Sequence, residues 1–164
     1  MDLLTERLVL RDFLPGDWPA VFAYQSLPAY LEHYGQLPPS SDDVRLFVEM
    51  LHGWAQEVPR TKYQLAITLG GAVIGTCGVR KEAPDRLDAE WGCELAPAYW
   101  GHGYAREASQ AIITFGFETL RLQRIWAQTS PANDRAVRLA EQLGFRRLSP
   151  GLYEATYPGT RGMT

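Results

Sequence analysis

The chain has 164 residues, 46 % of them hydrophobic and 21 % charged, with 16 Lys and Arg against 19 Asp and Glu and a formal net charge of -3. That length suits one hydrophobic core, the apolar content is too high for a disordered chain, and the slightly acidic balance argues against a general nucleic-acid binder. Two cysteines, Cys77 and Cys93, with no CxxC or Cys/His cluster, argue against zinc and against a secreted disulfide scaffold, and no apolar run approaches the ~18 residues of a membrane span.

The first expected strand is residues 8–13. It is closed by Leu14-Pro15-Gly16-Asp17, where Asp17 caps a helix from Trp18 to about Ser26 that Pro28 interrupts. Past a loop at Pro38-Pro39-Ser40-Ser41, Ser41 or Asp42 caps a helix whose Val44, Phe47, Val48, Leu51 and Trp54 recur at helical spacing. Residues 63–69 and 72–79 read as strands joined at Gly70-Gly71, a tight hairpin signal. A further strand, 88–95, is stopped by Pro97, and a long helix follows over about 103–120, with Ala105, Ala108, Ile112, Phe115 and Thr119 along one face. Residues 124–129 form a strand and 133–143 a helix that Gly144 ends. The last two strands are 145–148 and 152–157. Residues 158–164 are expected to be a loose tail, and the whole of 1–164 a single domain. The opening Met1-Asp2-Leu3-Leu4 lacks the basic start and apolar stretch of a signal peptide, so the expected compartment is the cytoplasm. Hairpins first, then strand–helix–strand–helix, predict an α/β (α+β mixed) fold with a central mixed sheet and helices on both faces.

One segment carries chemistry: Glu94-Leu95-Ala96-Pro97-Ala98-Tyr99-Trp100-Gly101-His102-Gly103-Tyr104-Ala105-Arg106-Glu107-Ala108. A strand ends, Pro97 blocks its continuation, two glycines bracket His102, and a helix begins at once. Glycine lets backbone approach a ligand closely, and the free amides and positive dipole end of a helix start bind phosphate. The same pattern also describes a plain strand-to-helix turn. No Gly-Lys-Ser/Thr follows, so it is not a Walker loop, and Gly101-x-Gly103-x-Ala105 falls short of the dinucleotide fingerprint.

These residues resemble the GNAT superfamily of N-acetyltransferases, in its RimJ/RimL-like branch. Thr5-Glu6-Arg7-Leu8-Val9-Leu10-Arg11 is similar to that branch's opening strand, and Ala89-Glu90-Trp91-Gly92-Cys93-Glu94-Leu95-Ala96-Pro97 to its fourth. Tyr99 to Ala108 is similar to its pyrophosphate loop and following helix. Asn133 with Glu141-Gln142-Leu143-Gly144-Phe145 is similar to its next helix and turn. The resemblance runs from residue 3 to about 157. It implies a mostly antiparallel sheet splayed between its fourth and fifth strands. It also implies an acetyl-CoA co-substrate without metal, and direct transfer to a primary amine in a ternary complex, the acceptor being a protein N-terminus or a small amine. The pantetheine arm would pair with the backbone of Leu95 and Ala96, the pyrophosphate with the loop His102, Gly103, Tyr104, Ala105 and Arg106, and Asn133 would touch the arm or a water on it. Asn133 also fits a plain helix cap. Homodimers occur among such proteins, while membrane and nucleic-acid partners are not implied. Trp100 stands where Gln or Arg is frequent in the superfamily, although Trp is common there in this branch. The chain departs from the pattern at Ala136, where a hydroxyl is frequent, and at Gln142 in place of Lys; Arg106, Arg135 or Arg138 would stand in for that Lys.

Attack by an amine on a thioester requires loss of a proton, hence a base. Strand alternation places Glu90, Gly92 and Glu94 on one face. Glu90 matches the carboxylate that serves as base in some superfamily members, and Glu94 lies nearer the splay; either also fits a structural carboxylate. Tyr104, Tyr153 and Tyr157 are candidate general acids. Trp54, Tyr30, Tyr34 and Tyr63 fit an acceptor pocket or the core, and Cys93 reads as a small buried hydrophobe. The competing readings are a non-catalytic CoA-binding sensor or interaction module and a nucleotide-binding phosphate loop.

Overall fold

Side-chain alternation along the central strands divides the core in two. In β3 (Lys62–Leu69), Leu65 and Ile67 bury on one face and Ala66 on the other, so both faces of the sheet need cover. The computed structural model, which describes residues 1–34 and 37–158, covers one face with α1 (Trp18–Gln25), α2 (Pro28–Tyr34) and α3 (Ser41–Gln56). The other face is covered by α4 (Tyr104–Glu118) and α5 (Asp134–Gln142). The remaining strands are β1 (Asp2–Leu4), β2 (Val9–Arg11), β4 (Ala72–Arg80), β5 (Asp88–Leu95), β6 (Arg124–Gln128), β7 (Arg146–Ser149) and β8 (Leu152–Thr156). They lie in the order β1-β2-β3-β4-β5-β6-β8-β7. Every neighbouring pair is antiparallel except β5 and β6, which run parallel because α4 makes the crossover between them.

The extra edge strand β1 was not expected. Residues 5–8 are a tight turn, with the Thr5 N–H donating to the Leu8 carbonyl (3.0 Å) and the Leu8 N–H to Thr5 Oγ1 (3.0 Å), and this folds β1 back on a short β2. The expected fourth and fifth strands are therefore β5 and β6. Pro28 does not merely stop a helix: it stands first in α2, where its missing N–H costs nothing. Ser40, not Ser41 or Asp42, caps α3. Its Oγ accepts the Asp43 N–H while the Asp43 carboxylate accepts the Ser40 N–H, both at 3.1 Å. Asp17 precedes α1 but makes no cap bond, because its carboxylate takes the Arg11 guanidinium (2.8 and 2.9 Å) and the Leu14 N–H (2.8 Å). The buried stripe of α4 is Ala108, Ser109, Ile112, Ile113 and Gly116, with Ala105 and Phe115 half-buried and Thr119 exposed. Gly144 takes the left-handed φ of +83° that its place after α5 requires. Of the expected loose tail, residues 159–164 lie outside the described residues. No helix among the described residues is long and apolar enough to cross a membrane.

Candidate functional site

β5 and β6 pair at only three positions, Asp88 with Arg124, Ala89 with Ile125 and Glu90 with Trp126. Beyond them the strands part around a cleft of about 580 Å³. Its walls are residues 91–95 of β5, residues 127–129 at the end of β6, the start of α4, and α5. Antiparallel pairing alternates, so the parity of β5 follows from one bond. The Ala96 N–H donates to the Ile74 carbonyl (2.7 Å), which turns the backbone groups of Gly92 and Glu94 toward β4 and those of Trp91, Cys93 and Leu95 toward the gap. The Ala96 carbonyl is also engaged, by the Tyr99 N–H (2.9 Å), and the Leu95 carbonyl accepts the Trp100 indole N–H (2.9 Å). Of the two positions expected to pair with a pantetheine arm, only Leu95 lines the cleft.

At the loop end, Gly101 and Gly103 take φ of +80° and +81°, and Gly103 stands as the cap of α4. The Glu107 N–H donates to the Gly103 carbonyl (3.0 Å) as the first helical bond, which leaves the amides of Gly103, Tyr104, Ala105 and Arg106 without helical partners. Arg106, Arg135 and Arg138 also line the cleft, against one carboxylate, Glu94. In a chain of net charge -3, that local excess of cations and free amides suits a phosphate-bearing ligand. Arg135 lies 4.2 Å over the Trp100 ring, which packs on His33 at 5.1 Å. Asn133 caps α5, its Oδ1 accepting the Ala136 N–H (3.1 Å), and both residues line the cleft.

On β5 in the same cleft, Glu94 accepts three hydrogen bonds from neutral donors. Tyr24 Oη (2.8 Å) and Gln25 Nε2 (3.0 Å) donate to Oε1, and Tyr30 Oη donates to Oε2 (2.6 Å). Burial, then the charge of Glu94, raises Tyr24 and Tyr30 far above the ordinary tyrosine value, so both remain protonated donors. A side groove of about 610 Å³, lined also by Glu32 and Ser130, shares His33, Tyr34, Trp100, Thr129 and Asn133 with the cleft. Cys93, expected to be buried, is half-buried because it lines the cleft; it stands opposite Cys77 of β4, and that contact pushes its thiol well above the ordinary range, which makes it a poor nucleophile.

Glu90 sits outside the cleft, in the paired part of β5. It lies 3.5 Å from Arg80, whose guanidinium covers Gly92, where a Cβ would come within 2.9 Å of it. Arg80 also donates to Gln64 Oε1 (2.6 Å). His102 does not line the cleft, and its carbonyl is turned to Arg7 (3.0 Å). The fold thus gathers Glu94, Leu95, Gly103, Tyr104, Ala105, Arg106 and Asn133 around the cleft and leaves Glu90, Ala96 and His102 at its margin. Tyr104 and Tyr153 line it, while Tyr157 packs on Phe117 (5.9 Å). Of the aromatic candidates, Tyr30 and Tyr34 reach this region. Trp54 stacks under Lys62 (5.2 Å) and Tyr63 packs on Phe115 (5.3 Å). Tyr24, Gln25 and His33 fall in the segment of roughly 23–60 that the sequence assigns to acceptor choice, but sequence reasoning singles out none of them, and His33 has no partner motif in the sequence. The available signal was the density of aromatic residues over 18–34, which contains Trp18, Phe22, Tyr24, Tyr30 and Tyr34.

Comparison with known proteins agrees with this geometry. The family model described as an acetyltransferase (GNAT) domain matches residues 7–146. The uncharacterized N-acetyltransferase p20 of Bacillus licheniformis is 32 % identical over 147 residues, covering 88 % of this chain and 82 % of that protein. The crystal structure of a GNAT-family acetyltransferase from Bacillus anthracis superposes with a TM-score of 0.81 at 26 % identity, covering 95 % of this chain and 98 % of that one. RimL, a ribosomal-protein α-N-acetyltransferase solved with coenzyme A, shares the fold at a TM-score of 0.76 and 17 % identity, over 95 % of this chain and 98 % of that one.

Proposed function

The chain belongs to the GNAT family of acetyltransferases, and from that premise we propose that it transfers the acetyl group of acetyl-CoA to a primary amine, with residues 1–164 acting as one catalytic domain. The observation that carries this reading is the lining of the cleft, which brings free helix amides and three arginines together with a single carboxylate held by neutral donors.

Acetyl-CoA supplies an activated thioester. The amides of Gly103 to Arg106 hold its pyrophosphate, with Arg106 and Arg138 adding charge where Gln142 cannot, and Trp91, Cys93 and Leu95 turn backbone groups to the arm lying in the splay. The acceptor enters by the side groove between α2 and the loop after β6. Glu94 draws in its ammonium and takes the proton, so that the free amine attacks the thioester carbonyl directly. Glu94 is preferred to Glu90 as base because it lines the cleft and has no guanidinium beside it, whereas Arg80 already answers the charge of Glu90. Ala136 offers no hydroxyl for the departing thiolate, so Tyr104 or Tyr153 supplies that proton, both being cleft residues.

The test is a thiol-release screen of acetyl-CoA against small amines and N-terminal peptides, alongside calorimetry with CoA. Acceptor-dependent CoA release identifies the enzyme and its acceptor class. CoA binding without turnover on any amine gives the sensor reading instead, and no CoA binding overturns both.

A further inference from the structure

Two of the three residues of the loop 101–103 are glycines, which bring no side-chain contacts of their own to fix it. Gly101 and Gly103 both stand at positive φ, and a Cβ at Gly101 would meet nothing within 4 Å. Two glycines flanking one residue leave the chain many conformations to lose on binding. Backbone amides bind an anion well only when they are already aimed at it. Something must therefore hold this loop.

The contacts that do so come from the turn between β1 and β2, at the opposite end of the sequence. Glu107, in the first turn of α4, is gripped three times. Thr5 Oγ1 donates to Oε2 (2.6 Å), the Arg7 N–H donates to Oε2 (2.9 Å), and Arg7 Nε donates to Oε1 (2.7 Å). From that anchor the Arg7 guanidinium reaches on into the loop. Nη1 donates to the His102 carbonyl (3.0 Å), Nη2 lies 3.4 Å from where a Cβ of Gly103 would stand, and the group covers the Tyr104 ring at 4.4 Å. The Arg7 side chain is 41 % exposed, and an ion pair that exposed contributes little to global stability. Nor does Arg7 line the cleft. Its contacts converge on one loop from behind.

We propose that Arg7 is a positioning residue for cofactor binding: pinned by Glu107 and Thr5, it fixes the His102 carbonyl and so keeps the amides of Gly103 to Arg106 aimed at the pyrophosphate. This rests on the CoA reading above, and the experiment separates the two. Affinity is measured for CoA by calorimetry and for pantetheine, which lacks the phosphates, by amide NMR titration.

In Arg7→Ala, CoA binding weakens by about 10-fold while pantetheine binding is unchanged. Arg7→Lys keeps the Glu107 contact but cannot also bridge to the carbonyl, and gives an intermediate loss. Glu107→Gln is the decisive variant. Removing a negative charge beside a phosphate site tightens CoA if only long-range electrostatics matter, whereas the clamp requires CoA to bind more weakly. Tighter or unchanged CoA binding in Glu107→Gln overturns the proposal, as does an equal loss for CoA and pantetheine in Arg7→Ala. Should Arg7→Ala fail to fold, Arg7→Lys and Glu107→Gln decide between the same outcomes. A wild-type protein that binds CoA no better than pantetheine overturns the cofactor reading itself, and the clamp with it.

Discussion

Glu90 and Glu94 project from the same face of the same strand, yet one faces an arginine and the other three neutral donors. The end of β5 that pairs with β6 is crossed by a ladder of opposite charges. Asp88 meets Arg86 (2.8 Å) and Arg124 (3.9 Å), Arg124 meets Glu154 (2.7 Å), and Glu154 meets Arg146 (2.7 Å). The splayed end has Glu94 alone, without a guanidinium on its carboxylate among the described residues. A carboxylate beside a guanidinium has its charge neutralised by that cation. One held by hydroxyl and amide donors has no cation on it, which is the basis of the role proposed for Glu94. The partner on β4 makes the difference: Arg80 stands opposite Glu90, and Thr76 opposite Glu94.

The sharpest way to break this contrast is to neutralise each carboxylate in turn. Glu94→Gln should lower kcat ~10²–10⁴-fold, the usual worth of a general base, with a defect that shrinks as rising pH supplies free amine. Glu90→Gln should leave kcat within about 3-fold, since its charge already meets Arg80. Steady-state kinetics with an acceptor from the screen decides, and a crippled Glu90→Gln beside a healthy Glu94→Gln would reverse the two roles.

Gly103→Val tests the glycine loop. At a φ of +81° a β-branched residue is strained, and its side chain runs into the Arg7 guanidinium behind the loop, so the amides of 103–106 lose their aim. CoA affinity should fall at least ~10-fold, about 1.4 kcal/mol, in a protein whose circular dichroism is native. Native affinity in that variant would remove the loop from the cofactor site.

A smaller effect is expected from Tyr30→Phe, which takes one of three donors from Glu94. A hydrogen bond to a charged group is worth ~1.5–3 kcal/mol, so kcat/KM should drop by about tenfold or more with the fold intact. Full activity would mean that the tyrosine cage is packing and nothing else.

The smallest effect belongs to the paired region. Hydrogen bonds from Arg124 and then Arg146 hold Glu154 below its ordinary value of 4.5. A depressed carboxylate contributes stability that is present above its unfolded value and lost as pH falls through the folded one. Wild type should therefore lose thermal stability below about pH 4.5 more steeply than Glu154→Gln, by about 1 kcal/mol, with activity near neutral pH the same in both. Parallel melting curves down to pH 3 would show the ladder to be without weight.

The sequence by itself determined the features that rest on local chemistry. Gly103 and Gly144 sit where the chain needs a positive φ, Gly70-Gly71 where two strands turn back, and Asn133 where a helix needs a cap. Apolar spacing in α3 and alternation in β5 announced how their faces divide, whereas β3 is buried on both faces and carries no such signal. Local signals also misled. Pro28 looked like a stop because its missing N–H serves equally to end one helix and to begin another. Ser40 lost to its neighbours because serine and aspartate residues in a row offer several caps and only the backbone geometry chooses among them. What the tertiary structure alone decided was the chemistry of the site. Residues 24, 25 and 30 belong to two short helices, and nothing within either fixes how they cross, so their convergence on Glu94 exists only once the core is packed. The pleat parity that closes Ala96 to a ligand depends on pairing with β4, and the fate of Glu90 depends on Arg80 lying over Gly92. Turns, caps and buried faces are properties of a few consecutive residues, whereas the state of a carboxylate is set by whatever the fold brings within hydrogen-bonding distance of it.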